Sequence, residues 1–193
     1  MYITQLVSEF EVLMKYKKIE IHLDDPTIQM ISFSFKKNHF KHLIGFHYTK
    51  FRNTPSESIY KKCKKGLFNL GLDNKLNVFD KKHEKYKEMT GSGVNKLIEK
   101  IKNFKMINII LCDPNHNDLV DFDKTLVVGD TEQGSEYILH LEKGNVRYHL
   151  GLKKDLILNE YVPVSFFFEK DHKMNKFIEG QKQIKIKKIS RII

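Results

Sequence analysis

Glu136-Tyr137-Ile138-Leu139-His140-Leu141-Glu142-Lys143-Gly144-Asn145-Val146-Arg147-Tyr148-His149-Leu150-Gly151-Leu152 runs as two period-two segments around a Lys-Gly-Asn turn. Alternation of this kind places successive side chains on opposite faces of a strand, and the short Gly-containing break joins the two strands as a hairpin. Tyr161–Glu169 and Gln183–Ile189 continue the same reading as two further strands, and Leu126-Val127-Val128 as another. The C-terminal third is therefore expected to be an antiparallel sheet.

Upstream the period changes. Leu6, Phe10, Leu13 and Met14 recur at helical spacing over Thr4–Tyr16. Ile19–Leu23 alternates as a strand, Asp24-Asp25-Pro26 turns, and Ile28–Phe35 returns as the second arm of a hairpin. Thr54-Pro55-Ser56-Glu57 has the composition of a capped helix start, and that helix is expected to run to Asn69. A charged helix over Leu76–Met89, a helix over Val94–Phe104 and a short buried strand over Ile107–Cys112 complete the expectation. The fold class is α+β: N-terminal helices and a hairpin packed on a mainly antiparallel four- to five-stranded sheet, in a single domain over residues 1–193.

The chain has 193 residues, a formal net charge of +10 and 14 Phe, enough apolar material for a core. The charge is uneven. Residues 36–65 hold nine Lys/Arg against Glu57 alone, and residues 170–191 hold eight against two acids. Residues 113–136 are the reverse, with seven Asp/Glu against Lys124. Concentrated positive charge points to a polyanion, although a Lys-rich surface needs no ligand to explain it. Cys63 and Cys112 are far apart and form neither a disulfide framework nor a zinc motif. No apolar run reaches the roughly 18 residues of a membrane span, and the N-terminus lacks signal-peptide character. A reducing cytoplasm, no membrane and no cofactor are expected.

At the centre of the basic stretch lies Phe40-Lys41-His42-Leu43-Ile44-Gly45-Phe46-His47, an apolar hook carrying imidazoles and too short for a full helix. Three readings apply to His39, His42 and His47. They are metal ligands, though their spacing fits no strong zinc pattern. They are structural, with Phe40, Leu43, Ile44 and Phe46 in the core. Or they point into a cationic site as catalytic or RNA-binding groups, with His42 and His47 best placed beside the Gly45 turn. On the sheet, alternation puts Leu139, Leu141, Tyr148, Leu150, Val164, Phe166 and Phe168 on one face. It puts His140, Arg147, His149, Ser165 and Lys185 on the other, either as ordinary solvent-facing residues or as a cationic, histidine-bearing site and second wall to the hook. Metal-free RNA cleavage needs such groups: imidazoles as acid and base near neutrality, and Arg or Lys against phosphate.

Phe40-x-His42-Leu43-Ile44-Gly45-Phe46, followed by a Lys-rich helix and later by Tyr161-Val162-Pro163-Val164-Ser165-Phe166-Phe167, resembles a family of phage-associated nuclease-like domains of the barnase–EndoU–colicin–RelE class. The resemblance covers roughly residues 30–190. It implies helices on one face of an antiparallel sheet and an RNA site on the other. It also implies metal-independent ribonuclease activity, often as a toxin of phages and mobile elements, with tRNA or ribosome-associated mRNA as substrate. His42 matches the hook histidine of that pattern and Ser165 its strand hydroxyl. His47, Tyr60 and Lys61 lie near its polar positions, while His140 and Arg147 rest on the face sorting alone. The catalytic candidates are thus His42, His47, His140 and Ser165. The RNA-binding candidates are Lys41, Lys50, Arg52, Tyr60, Lys61, Arg147, His149 and Lys185, with no metal ligand assigned. Segment 105–135 is longer than the minimal fold needs and is a candidate flap or protein-binding surface. The function classes in play are a ribonuclease toxin or effector, a non-catalytic RNA-binding module acting on a host nucleoprotein, and a protein-interaction domain using residues 113–136. RNA is the expected partner in the first two, with a protein antitoxin as a further one.

Overall fold

A computed structural model of the chain describes residues 3–71, 75–80, 82–91, 93–112, 118–127, 134–170 and 177–193. The described residues form five α-helices and ten strands, arranged as two compact units. One unit takes residues 1–14 and 36–105, the other residues 15–35 and 106–193.

The barrel unit closes seven strands in the order β1 (Lys18–Leu23), β10 (Lys182–Ile192), β6 (Asp118–Asp121), β7 (Tyr137–Lys143), β8 (Val146–Asp155), β9 (Glu160–Glu169) and β2 (Met30–Phe33). Every pairing is antiparallel except that of β2 with β9, made at Phe33 and Tyr161. The expected four- to five-stranded sheet is therefore corrected to a closed mixed barrel. The N-terminal hairpin does not lie on the sheet: its two strands complete the wall, β1 on β10 and β2 on β9. Closure leaves no unpaired sheet edge in the barrel. Ile184, Leu119, Leu139, Leu150 and Phe166 face one another across successive strands and are buried, with Ile19, Ile21, Ile31 and Phe33 buried in the hairpin. Helix α5 (Met106–Cys112) packs against β7 and β8. A strand was expected there, but a short apolar run fits a buried helix equally well.

The helical unit contains α1 (Ile3–Met14), α2 (Phe40–Ile44), α3 (Ser56–Lys64), α4 (Val94–Asn103) and a small antiparallel sheet of β3 (Phe68–Leu70), β4 (Leu76–Asp80) and β5 (Lys85–Glu88). Its core is aromatic. Phe10 of α1 meets Phe40 of α2 at 5.0 Å and Phe104 at 6.2 Å, and Phe46 meets Phe68 of β3 at 4.8 Å. α3 stops at Lys64 and not at Asn69, because the Leu67 amide turns back onto the Lys62 carbonyl and the chain enters β3. Pro55 is the N-cap and no side chain caps the helix, so the expected capping box does not form. The Ser56 hydroxyl is engaged instead with the hook, accepting from the Lys41 amide and donating to the Lys37 carbonyl.

The expected helix over Leu76–Met89 is the β4–β5 hairpin. Phe79 packs against Tyr86 at 5.3 Å, and Asp80 bridges its turn to His83 and Lys87. Leu126 belongs to a 3-10 turn, Lys124–Leu126, and not to a strand; Val128 lies outside the described residues. Within acidic segment 113–136, β6 is an internal barrel strand and not loop, while residues 113–117 and 128–133 lie outside the described residues. No helix among the described residues is long and apolar enough to cross a membrane.

Candidate active site

The hook is built from its apolar residues inward. Phe40, Leu43, Ile44 and Phe46 are fully buried, which fixes α2 and the 3-10 turn Phe46–Tyr48 that follows it. Gly45 separates the two at φ 91°, a left-handed conformation that side chains resist, and its amide closes onto the Lys41 and His42 carbonyls. The Thr49 hydroxyl donates to the Phe46 carbonyl and accepts from the Phe51 amide, locking the turn. This reversal brings His42 and His47 together with ring centroids 5.0 Å apart and planes 24° from parallel.

The two imidazoles sit in cationic surroundings. His42 is exposed but stacks one face on His47. Partial desolvation lowers its pKa, aided by the Lys41 and Lys100 charges. His47 is half-buried, and burial, then Lys100 and His42, push it down to about 4 against the opposing pull of a hydrogen bond to the Lys41 backbone. Both shifts favour the neutral imidazole in the free protein.

Lys100 of α4 was missed by the sequence reading. It is 6% exposed, and burial, then Lys96, lowers its ammonium pKa to about 8. The Lys100 and Lys96 ammonium groups lie 5.2 Å and 5.3 Å from the Tyr48 ring centroid. Gly93 permits this arrangement, since a Cβ there would lie 1.9 Å from the Tyr48 carbonyl oxygen.

The other hook candidates divide by burial. Lys41, expected at the RNA surface, is buried and donates to the Arg52 and Thr54 carbonyls at 2.9 and 3.0 Å, strapping the hook to the start of α3. His39 serves the structural role: its Nδ1 accepts the Lys36 amide at 3.1 Å. Tyr60 is also internal. Its hydroxyl donates to Glu11 Oε1 at 2.5 Å, its ring lies 5.4 Å from Phe40, and its pKa is raised by burial and by Glu11. Lys50, Arg52 and Lys61 are exposed. Lys50 and Lys62 both approach the Phe51 ring at 5.6 Å.

In the barrel, register puts His140 opposite His149, Glu142 opposite Arg147 and Gly151 opposite Ser165. His140, Arg147, His149 and Ser165 thus share one side, as alternation predicted, but that side is not open. His149 is fully buried and stacks on Phe167 at 4.6 Å, with Phe177 at 5.8 Å. Phe167 packs against a cluster of Val120, Phe122, Val127, Ile138, Phe177 and Ile178. The open polar face expected from the strands alone is therefore a second apolar layer, covered in part by residues 177–178.

His149 Nε2 donates to Glu169 Oε2 at 3.0 Å, while burial lowers its pKa. His140 is pushed down to about 4, by burial first and then by His149 and Arg147. Neither of its ring nitrogens has a hydrogen-bond partner among the described residues. Arg147 pairs with Glu142 at 2.7 Å, and the Ser165 hydroxyl lies 3.2 Å from that of Ser135. Lys185 is exposed on β10, separated from β8 by β6 and β7, and lies opposite Asp118. Among the described residues no group of three or more His, Cys, Asp or Glu is placed to hold a metal ion.

Residues 5–191 match the family described as phage-Barnase-EndoU-ColicinE5/D-RelE like nuclease4 (PBECR4). The chain belongs to this family. The match spans both compact units, so the helical hook and the barrel are both parts of the PBECR4 domain. No curated protein and no solved structure matches the chain. PBECR4 membership suggests an RNase-like nuclease with a nucleic-acid substrate, as the hook and strand motifs had implied.

Proposed function

We propose that the protein is a metal-independent endoribonuclease of the toxin or effector type, with His42 and His47 as its acid–base pair. The observation that supports this is the stacked pair itself: two imidazoles 5.0 Å apart, one exposed, with the Lys41 and Lys100 charges acting on both. Exposed Lys50 and Arg52 on the same unit supply further attraction for a polyanion.

In this reading a neutral imidazole takes the proton of a ribose 2′-OH. The 2′-oxygen attacks phosphorus, the bond to the 5′-oxygen breaks, and the second imidazole protonates that leaving oxygen, giving a 2′,3′-cyclic phosphate and a 5′-hydroxyl. Binding of the phosphodiester offsets the cationic surroundings and raises the imidazole pKa, so that one ring carries the proton it must deliver. His42, the more exposed ring, is assigned as base. His140 and Ser165 are the alternative catalytic pair. Their apolar surroundings and the engagement of neighbouring His149 with Glu169 favour the hook. tRNA or mRNA is the proposed substrate class and a protein antitoxin the proposed regulator.

The test is incubation of purified protein with total RNA in excess EDTA. Cleavage with 2′,3′-cyclic phosphate ends is the expected result. RNA that is bound but left intact would assign the chain to non-catalytic RNA binding.

A further inference from the structure

The described residues include two buried lysines, and they differ in their partners. Lys41 donates to two carbonyls. Lys100 has neither a carboxylate nor a carbonyl partner among the described residues. Its ammonium lies 5.2 Å from the Tyr48 ring centroid, Lys96 is the charge that acts on it, and its own charge acts on the His42 and His47 rings. The stem is buried while the ammonium at its end stays open to solvent beside Tyr48, with no carboxylate among the described residues to neutralise it. Packing fixes the stem there. Lys100 shares a helical face with Leu97, Ile101 and Phe104, all fully buried. A Cβ at Gly45 would lie 3.0 Å from Lys100 Cδ, so the hook is laid directly on the lysine stem.

We infer that Lys100 is a substrate-contacting residue, whose ammonium forms, with the His42–His47 pair, a binding site for one phosphodiester group of RNA. An anion there would supply the missing counter-charge, and the low-dielectric surroundings strengthen the attraction. A phosphodiester fits better than a carboxylate metabolite. Tyr48 beside the site is 40% exposed and offers a ring on which a flanking base can stack. During cleavage Lys100 transfers no proton. It stabilises the negative charge that grows on the non-bridging oxygens. The inference rests on the ribonuclease reading for the identity of the anion, though not for its existence.

The experiment uses the full chain and an oligoribonucleotide with 2′-deoxy sugars, which binds without 2′-OH attack. Affinity is measured by fluorescence anisotropy as a function of salt. Lys100→Met should weaken binding by about tenfold at low salt and reduce the log–log salt slope by about one. Its thermal stability should be about unchanged, because methionine keeps the buried stem and the ammonium makes no hydrogen bond among the described residues. Lys100→Met that binds and cuts like the parent, or that loses stability in proportion to activity, would overturn the assignment.

Should Lys100→Met fail to fold, lysine Cε NMR of the unmodified protein decides. The Lys100 titration midpoint should rise from about 8 on adding the same oligonucleotide, and a fixed midpoint in the bound state refutes the site. Parent protein that binds the oligonucleotide through Lys100 but never cuts RNA would refute the ribonuclease reading alone. A Lys100→Met variant that binds and cuts RNA as well as the parent would refute this inference alone.

Discussion

His42 and His47 stack at 5.0 Å across a left-handed Gly45, so the six residues 42–47 bring an exposed and a half-buried imidazole together while Phe40, Leu43, Ile44 and Phe46 remain in the core. The structural and functional readings of the hook are therefore compatible. The apolar residues hold it, His39 closes its entry, and His42 and His47 are left for chemistry.

Replacing either of these histidines separates catalysis from binding. His42→Ala and His47→Ala should each lower single-turnover cleavage by about 10²–10⁴-fold, the usual range for losing a general acid or base. Affinity for a 2′-deoxy oligonucleotide should fall far less, by about tenfold at most, since Lys100 and the exposed Lys50 and Arg52 still hold the phosphates. Equal losses in both measurements would make the pair a binding element.

The pH profile follows from the same surroundings. The base, His42, must be unprotonated, and burial with the Lys41 and Lys100 charges lowers its pKa, so the acid limb of kcat/KM should lie below the pH at which an ordinary histidine titrates. On the alkaline side Lys100 must keep its charge, and kcat/KM should decline through about pH 8. The Lys100→Arg variant should shift the alkaline limb upward.

Stability should depend on pH through the buried imidazoles. His140 and His47 are ordinary histidines when unfolded and are depressed to about 4 when folded, so the unfolded chain binds protons more readily. The stabilisation is complete above about pH 6.5 and is lost as pH falls toward about 4. Urea midpoints measured from pH 7 to pH 4 should fall accordingly. His140→Leu, which removes two unpartnered ring nitrogens, should flatten that slope and leave cleavage within about threefold. A loss of cleavage beyond about a hundredfold would transfer the chemistry to the barrel.

Tyr60→Phe tests the reassignment of that residue from RNA surface to core. Losing the hydroxyl that donates to Glu11 should cost about 1–2 kcal/mol in denaturant unfolding. RNA affinity should not change.

Alternation and a Gly-containing turn made the β7–β8 hairpin and its histidine-bearing side legible in the sequence, because a two-residue period directly encodes faces. Closure of the barrel was not legible: the β2–β9 join is a single parallel pairing of Phe33 with Tyr161, which leaves no local pattern. Nor could strand alternation show that Phe177 and Ile178 cover the His149 side. Residues 76–88 misled because their many charges resemble a solvated helix, while Phe79 and Tyr86 packing makes them a hairpin. Lys100 did leave a signal. It falls three residues after Leu97 and four before Phe104, on the apolar stripe of α4, where a lysine has to be explained.

The most direct measurement is RNA cleavage by the purified chain in excess EDTA, compared between the parent protein and His42→Ala, with fold verified by circular dichroism. Chelator-resistant cleavage with 2′,3′-cyclic phosphate ends, abolished in folded His42→Ala, is the expected result. Intact RNA with the parent protein, or equal cleavage by both proteins, would contradict the assignment of the hook as the catalytic centre.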